Sequence, residues 1–515
     1  MRLAFATILY TFVLSLASSR LSAREVVKVT KNSGIETQIT KPGVDYIIRS
    51  TFDLNGGRLV MPADCILKFE KKGRLQNGIL IGNNTEICSK KRRILGNLKI
   101  EGTFKSNRAL PEWFDGDDNS KIAKAIQIAD TVAIDKEYKI SQTVHIVKPI
   151  VLVGSGLIAL CETLPVGISI HSSDVSMEGV SLKTTSEKAD LFQAIGSKES
   201  TLKKLKIMAC SFNGGMNAIR WDYVEESLVE RNIISNVDYT GIGIYSCQNI
   251  DVAFNHISDV NVKHNNQNSY GVAATFHYGH PKSKNIRITD NTVENNPYWE
   301  ALDTHGGENI EFSRNIVRNS WRGVAAVSDN HRDPVLCSNV VITDNEIECS
   351  SEPYSNGIVF TGLADDSLAK GWTISGNVIK NAVIGFYSNF TSAAEVKNNE
   401  ATVVDEGWRD RGSVSLSFAS NTIHVVGKGD SQYRRCGLYL IPSQGSKYSF
   451  GEIRNNHIIA NDNEGVIARE AFKSHILLID NIIETKGVKY KGGEDNQIQT
   501  LRMHYFTEIK DKDIK

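Results

Sequence analysis

Through its middle and later parts the chain repeats one arrangement of apolar and polar positions: apolar, any residue, apolar, two polar residues, Asn, any residue, apolar, then a polar stretch and a Gly-led apolar strand. Ile286, Ile288, Asn291 and Val293 form one instance; Ile310, Phe312, Asn315 and Val317 form another. Val340, Ile342, Asn345 and Ile347, then Trp372, Ile374, Asn377 and Ile379, repeat it. The anchoring Asn stands at 232, 255, 291, 315, 345, 377, 399, 421, 456 and 481, with Cys210 opening the series. Successive intervals of 22, 23, 36, 24, 30, 32, 22, 22, 35 and 25 residues give a base period of about 22. Alternation inside each unit has period two, with no helical spacing, so each unit predicts a coil of three short strands and three turns stacked on the next. The predicted fold is all-β: a single-stranded parallel β-helix, a solenoid whose dozen or so coils, at about 4.8 Å each, would reach roughly 60 Å. Leucine-rich repeats share the period, but their Leu-x-x-Leu-x-Leu frame is absent. Asn suits the anchor because its short amide tolerates left-handed or bridge backbone geometry while bonding the same amide one coil away.

Upstream, Asp118-Asn-Ser120 can cap a short helix whose Ile122, Ala125, Ile126 and Ala129 fall on one face. Strands should follow at 131–135 and 150–153. Arg2, an apolar run from Leu3 to Ala17 and the small-residue site Leu21-Ser22-Ala23 predict a signal peptide over 1–23, hence export to the periplasm or medium. The first cysteine, Cys65, is far from that site, so no N-terminal lipid acceptor is visible, and no later stretch reads as a membrane span. The expected organisation is N-terminal coils and cap over 24–110, the main β-helix over 111–485, and a C-terminal cap or tail over 486–515.

Composition narrows the function classes. Lys plus Arg and Asp plus Glu both number 59, so no overall positive charge draws the chain to nucleic acid. Forty glycines against ten prolines suit a turn-rich β protein. Eight cysteines without a C-x-x-C pair make neither a disulfide framework nor a zinc site.

Several stretches carry a resemblance. Glu112-Trp-Phe114, Gly116-Asp-Asp118, Ala125-Ile126 and Leu152-Val-Gly-Ser-Gly156 resemble the first coils of secreted bacterial members of the pectate-lyase-like superfamily. Leu54-Asn-Gly-Gly57, Leu75-Gln-Asn-Gly78 and Ile81-Gly-Asn-Asn84 look like the accessory coils that precede them. The resemblance implies a right-handed β-helix, as the crossover rule also favours, and an enzyme acting on polysaccharide. Gly154-Ser-Gly156 also matches a dinucleotide fingerprint, but with Pro165 close behind it reads as a coil turn.

Coils longer than 22 residues must carry their excess as loops, and loops of neighbouring coils can wall one cleft. Three successive strands run into titratable clusters: Gly271 to His277, Tyr278 and His280; Glu300 to Asp303 and His305; Gly323 to Asp329, His331, Arg332 and Asp333. Stacking should place His277, Asp303 with His305, and Asp329 on adjacent coils. If the Val272, Val324 and Ile358 column is internal, Asp303 is expected to point inward, where an unpaired carboxylate would cost several kcal/mol. The competing reading is an internal polar ladder with Ser388 and Asn389.

Two chemistries fit these residue types. Hydrolysis takes two carboxyls, from Asp303 and Asp329 or from Glu300 and Asp303. Elimination takes a base and cations against a uronate, from His277, His305, Arg322 and Arg332. Trp299, Tyr298 and Trp321, with Tyr278, His331, Arg322 and Arg332, are candidate sugar contacts. No Asn-Thr-Asp with Gly-His-Gly, and no Arg-x-Pro-x-x-Arg, is present, so neither chemistry transfers residue by residue from the known families. No cofactor is required; Asp365-Asp366 reads as a solvated turn, with a weak Ca2+ contact as the alternative. The expectation is a secreted carbohydrate-active enzyme on a polysaccharide substrate, hydrolase over lyase, against a non-catalytic glycan-binding rod.

Overall fold

The computed structural model describes residues 24–329, 334–350, 352–363, 369–428, 431–441, 449–468, 474–491 and 497–501. The expected signal peptide lies outside them. The chain divides into two compact units, one ending at Ala133 and the next starting at Ile134, which puts the short helix in the first unit.

In the first unit, strands Val26–Val29, Asp45–Ile48, Ile66–Phe69 and Arg74–Ser89 pair in parallel, and the last also pairs with Leu95–Phe104. The helix spans Asp118–Ile128 and buries Ile122, Ala125, Ile126 and Ile128. Its cap is one residue earlier than expected: Asp117 accepts a hydrogen bond from the Ser120 backbone N–H at 2.7 Å, satisfying an orphan donor of the first turn.

The second unit is a right-handed parallel β-helix. Strands one coil apart pair in register: Ile286 opposes Ile310, which opposes Val340, then Trp372. All four are buried, because period two sends alternate side chains to the interior. Gly154 and Gly156 sit between strands Ile150–Val153 and Leu157–Leu160, so this segment is a coil turn. Pairing continues beyond residue 486, where Gln497–Leu501 lies parallel to Ser474–Ile479. Among the described residues no helix is long and apolar enough to cross a membrane, and all eight cysteines are free.

The anchor residues form one continuous ladder. From Asn232 to Asn481, each amide Nδ2 donates to the Oδ1 of the Asn one coil on, at 2.9–3.1 Å. The same Oδ1 accepts the preceding residue's own backbone N–H, as in Asn315 to Asn345 at 2.9 Å, and Cys210 joins by its N–H. Of the two backbone geometries expected around the anchor, the left-handed one falls on the residue before the Asn. Arg231, Phe254, Asp290, Arg314 and Asp344 have φ of 54–58°. The ladder bonds hold in place a geometry that costs roughly 1–2 kcal/mol per non-glycine residue.

Candidate active site

Strands Thr240–Tyr245, Tyr270–Thr275, Thr292–His305 and Ile316–Val327 are successive parallel neighbours. Val272, Leu302, Val324 and Ile358 share one internal row, while Ala273, Asp303, Ala325 and Val359 share the next. Asp303 and His305 therefore face outward, contrary to the inward placement expected for Asp303. The cause is a one-residue register offset. Glu300 opposes Tyr270, so Ala301, and not Glu300, takes the place of the leading glycine, and a slip of one reverses every side chain. An internal polar ladder does exist, three coils on and without Asp303. Trp408 Nε1 donates to Ser388 Oγ at 2.9 Å, and Ser388 donates to Asp410 at 2.5 Å. Burial pushes the Asp410 carboxyl up to about 6.

Although it faces outward, Asp303 has no solvent exposure, and neither carboxylate oxygen has a hydrogen-bond partner of good geometry. His305 Nδ1 stands 3.3 Å from Asp303 Oδ2. Burial disfavours charge on His305, but the Asp303 carboxylate outweighs it, with Glu300 and Asp329 adding to it, and the imidazole pKa rises to about 9. Glu300, 1% exposed, accepts from Arg322 Nη1 at 2.7 Å through Oε1 and leaves Oε2 unpartnered. Burial first, and repulsion from Asp303 second, push the Glu300 carboxyl up to about 7 in spite of Arg322. Burial and the Asp303 charge also raise the phenols of Tyr239 and Tyr270.

Asp303, His305, Asp329, His277, Tyr278 and Arg220 line one cavity of about 320 Å³. His277 Nε2 lies 2.7 Å from Asp222 Oδ1, and its ring stacks on Tyr245 at 4.6 Å. Asp222 is also held by Arg220 Nε at 3.0 Å. Tyr278 donates to Asp329 Oδ2 at 3.4 Å. The carboxylates of Glu300 and Asp303 and the imidazole of His305 approach within 4.8 Å of one another, a donor set able to hold a divalent ion. Arg322 on Glu300 and a proton on His305 would compete with that ion.

The remaining sequence candidates separate. Trp299 packs against Trp321 with ring centres 5.2 Å apart, and the Arg322 guanidinium lies 4.7 and 4.8 Å from the two rings. Trp321 lines a second cavity, and Tyr298 stacks on His264 at 4.0 Å. His331, Arg332, Asp365 and Asp366 lie outside the described residues. Sequence reasoning missed Asp222, Arg220, Tyr239, Tyr245 and Tyr270. Counting each strand back one coil in register would have found them, since Tyr245 opposes both Asp222 and Thr275.

No protein-family model and no curated protein matches the chain. Solved structures similar to it include the Azotobacter vinelandii mannuronan C-5 epimerase AlgE6 A-module, at 14% identity over 76% of this chain and 96% of that one, TM-score 0.39. The catalytic domain of a GH87 α-1,3-glucanase in complex with tetrasaccharides follows at 10% identity, 75% and 66% coverage, TM-score 0.37. Lid-less DFA-IIIase from Arthrobacter chlorophenolicus A6, in complex with GF2, gives 13% identity, 67% and 94% coverage, TM-score 0.36. All three are parallel β-helix enzymes, and the likeness is one of fold alone.

Proposed function

We propose that the protein is an exported carbohydrate-active enzyme that hydrolyses a glycosidic bond of a polysaccharide in the cavity floored by Asp303. The observation that carries this reading is Asp303 itself: a fully buried carboxyl lining a cavity, with no hydrogen bond of good geometry to either oxygen and the His305 imidazole 3.3 Å away. Burying such a pair carries a desolvation cost that its own attraction has to offset, and it takes no part in the apolar rows or the asparagine ladder, so chemistry accounts for it better than the coil stack does. Hydrolysis needs one group holding a proton for the leaving oxygen and one carboxylate for the sugar carbon or the attacking water. Glu300 and His305 retain protons near neutrality, while Asp303 and Asp329 supply carboxylates to one cavity.

Elimination needs cations free to neutralise a uronate. Arg220 and Arg322 are each already bonded to a carboxylate, which favours hydrolysis. The test is Asp303→Asn, assayed for reducing ends released from a panel of polysaccharides. Loss of at least about a hundredfold, in a variant that still unfolds in one cooperative transition, supports the assignment. Undiminished cleavage would move the site elsewhere, and an unsaturated-uronate chromophore in the products would replace hydrolysis by elimination.

A further inference from the structure

Beside the Asp303 cavity the outer face carries a second, larger one of about 590 Å³, lined by Trp321, Tyr354, Tyr387, Tyr433, Arg322 and Arg409 together with smaller side chains. It belongs to the same rows of the sheet. Asp303, Ala325, Val359 and Tyr387 oppose one another in turn, as do His305, Val327 and Thr361. Tyr387 is thus three coils from Asp303, about 14 Å at the strand spacing. A chain lying across the coils would pass from one cavity into the other.

The charges in this trough are already matched. Arg409 Nε and Nη2 each reach a carboxylate oxygen of the fully buried Glu406 at 2.5 Å, a bidentate pair. Its guanidinium also lies 4.7 Å from the Tyr433 ring centre. Arg322 is held by Glu300 and lies against the two indoles of Trp299 and Trp321. Among the described lining residues no other Arg or Lys is present. An anionic ligand would have to compete with a buried carboxylate for either arginine, an exchange that leaves the displaced charge unpaired. A neutral sugar faces no such cost: its C–H faces stack on tyrosine and tryptophan rings, and its hydroxyls take up remaining guanidinium and amide donors.

We infer that this trough is a binding subsite for neutral glycosyl residues, which holds the polysaccharide beside the Asp303 cavity and sets its preference for uncharged over uronate chains. The inference rests on the hydrolytic reading of that cavity, but its test does not depend on turnover. Asp303→Asn protein is run in native gels containing neutral β-glucan, α-glucan, mannan or xylan, and in parallel polygalacturonate or alginate. Retardation by a neutral glycan is expected, with affinity lowered about tenfold by Tyr387→Ala with Tyr433→Ala and retained by Tyr433→Phe, which keeps the ring. Three results would overturn it: retardation by a polyuronate that fades with salt and with Arg409→Gln, neutral binding undiminished in the double alanine variant, or no retardation by any neutral glycan. Failure of the cleavage reading shows separately, as wild-type activity that survives Asp303→Asn.

Discussion

Replacing Asp303 by Asn should erase a pH dependence of folding that the wild-type chain owes to His305. The imidazole titrates near 6.5 in an unfolded chain and at about 9 in the native one, because the carboxylate 3.3 Å away holds its proton. Its folded pKa is raised, so the contribution is fully present below pH 6.5 and is lost as pH climbs through about 9. Between those limits the native state carries a proton that the unfolded state lacks, and stability falls by about 1.4 kcal/mol per pH unit, about 3 kcal/mol in all. Guanidinium midpoints of wild type and Asp303→Asn, taken from pH 7.5 to 9.5, isolate the difference, since Glu300, whose carboxyl Asp303 also raises, titrates at about 7, below that window. The wild type should lose stability over that range, and the variant should hold nearly level. Parallel slopes would refute the pairing of these two side chains, and with it the geometry on which the active-site assignment stands.

Glu300→Gln bears on the other retained proton. Wild-type cleavage should fall as pH rises through about 7, where Glu300 ionises, and the variant should lack that limb in a pH–rate profile. Asn345→Ala should destabilise by about 2–6 kcal/mol in denaturant melts, because it strands the buried Asn315 N–H and Phe312 C=O at about 1–3 kcal/mol each. Gly407→Ala should cost about 1–3 kcal/mol in the same assay, since the new Cβ would lie 2.3 Å from Ile423 Cγ2 and 2.4 Å from the Gly437 carbonyl oxygen.

The coil stack was legible because its signal is local and repeated: a buried Asn at near-constant spacing, flanked by alternating apolar residues, arises where strands stack coil upon coil and in few architectures besides. The site was legible in part. That three clusters fell on neighbouring coils followed from the period, and His277, Asp303, His305 and Asp329 do line one cavity. Which way Asp303 points depended on whether Glu300 or Ala301 matches Gly271. Composition could not decide this, because the strand carries Ala301 where its neighbours have Gly271 and Gly323, and so lacks the glycine that marks the corner elsewhere. Arg409 was out of reach for another reason. Its partner Glu406 gains meaning from burial, which no spacing rule records.

The asparagine ladder has a polarity. Between side chains every bond runs one way, from the Nδ2 of one Asn to the Oδ1 of the Asn on the higher-numbered coil, while the same Nδ2 donates back to a backbone carbonyl of the lower-numbered coil; the row of amides thus has two unlike ends, and any interior rung can be exchanged only for another that faces the same way. A whole turn could thus be duplicated or excised and the ladder would reclose, whereas a fractional deletion would bring a mismatched group against the break. Lineages built on this scaffold can lengthen or shorten in units of one coil, and such an event at either coil flanking Asp303 would change the side chains beside it without touching the spine that supports it.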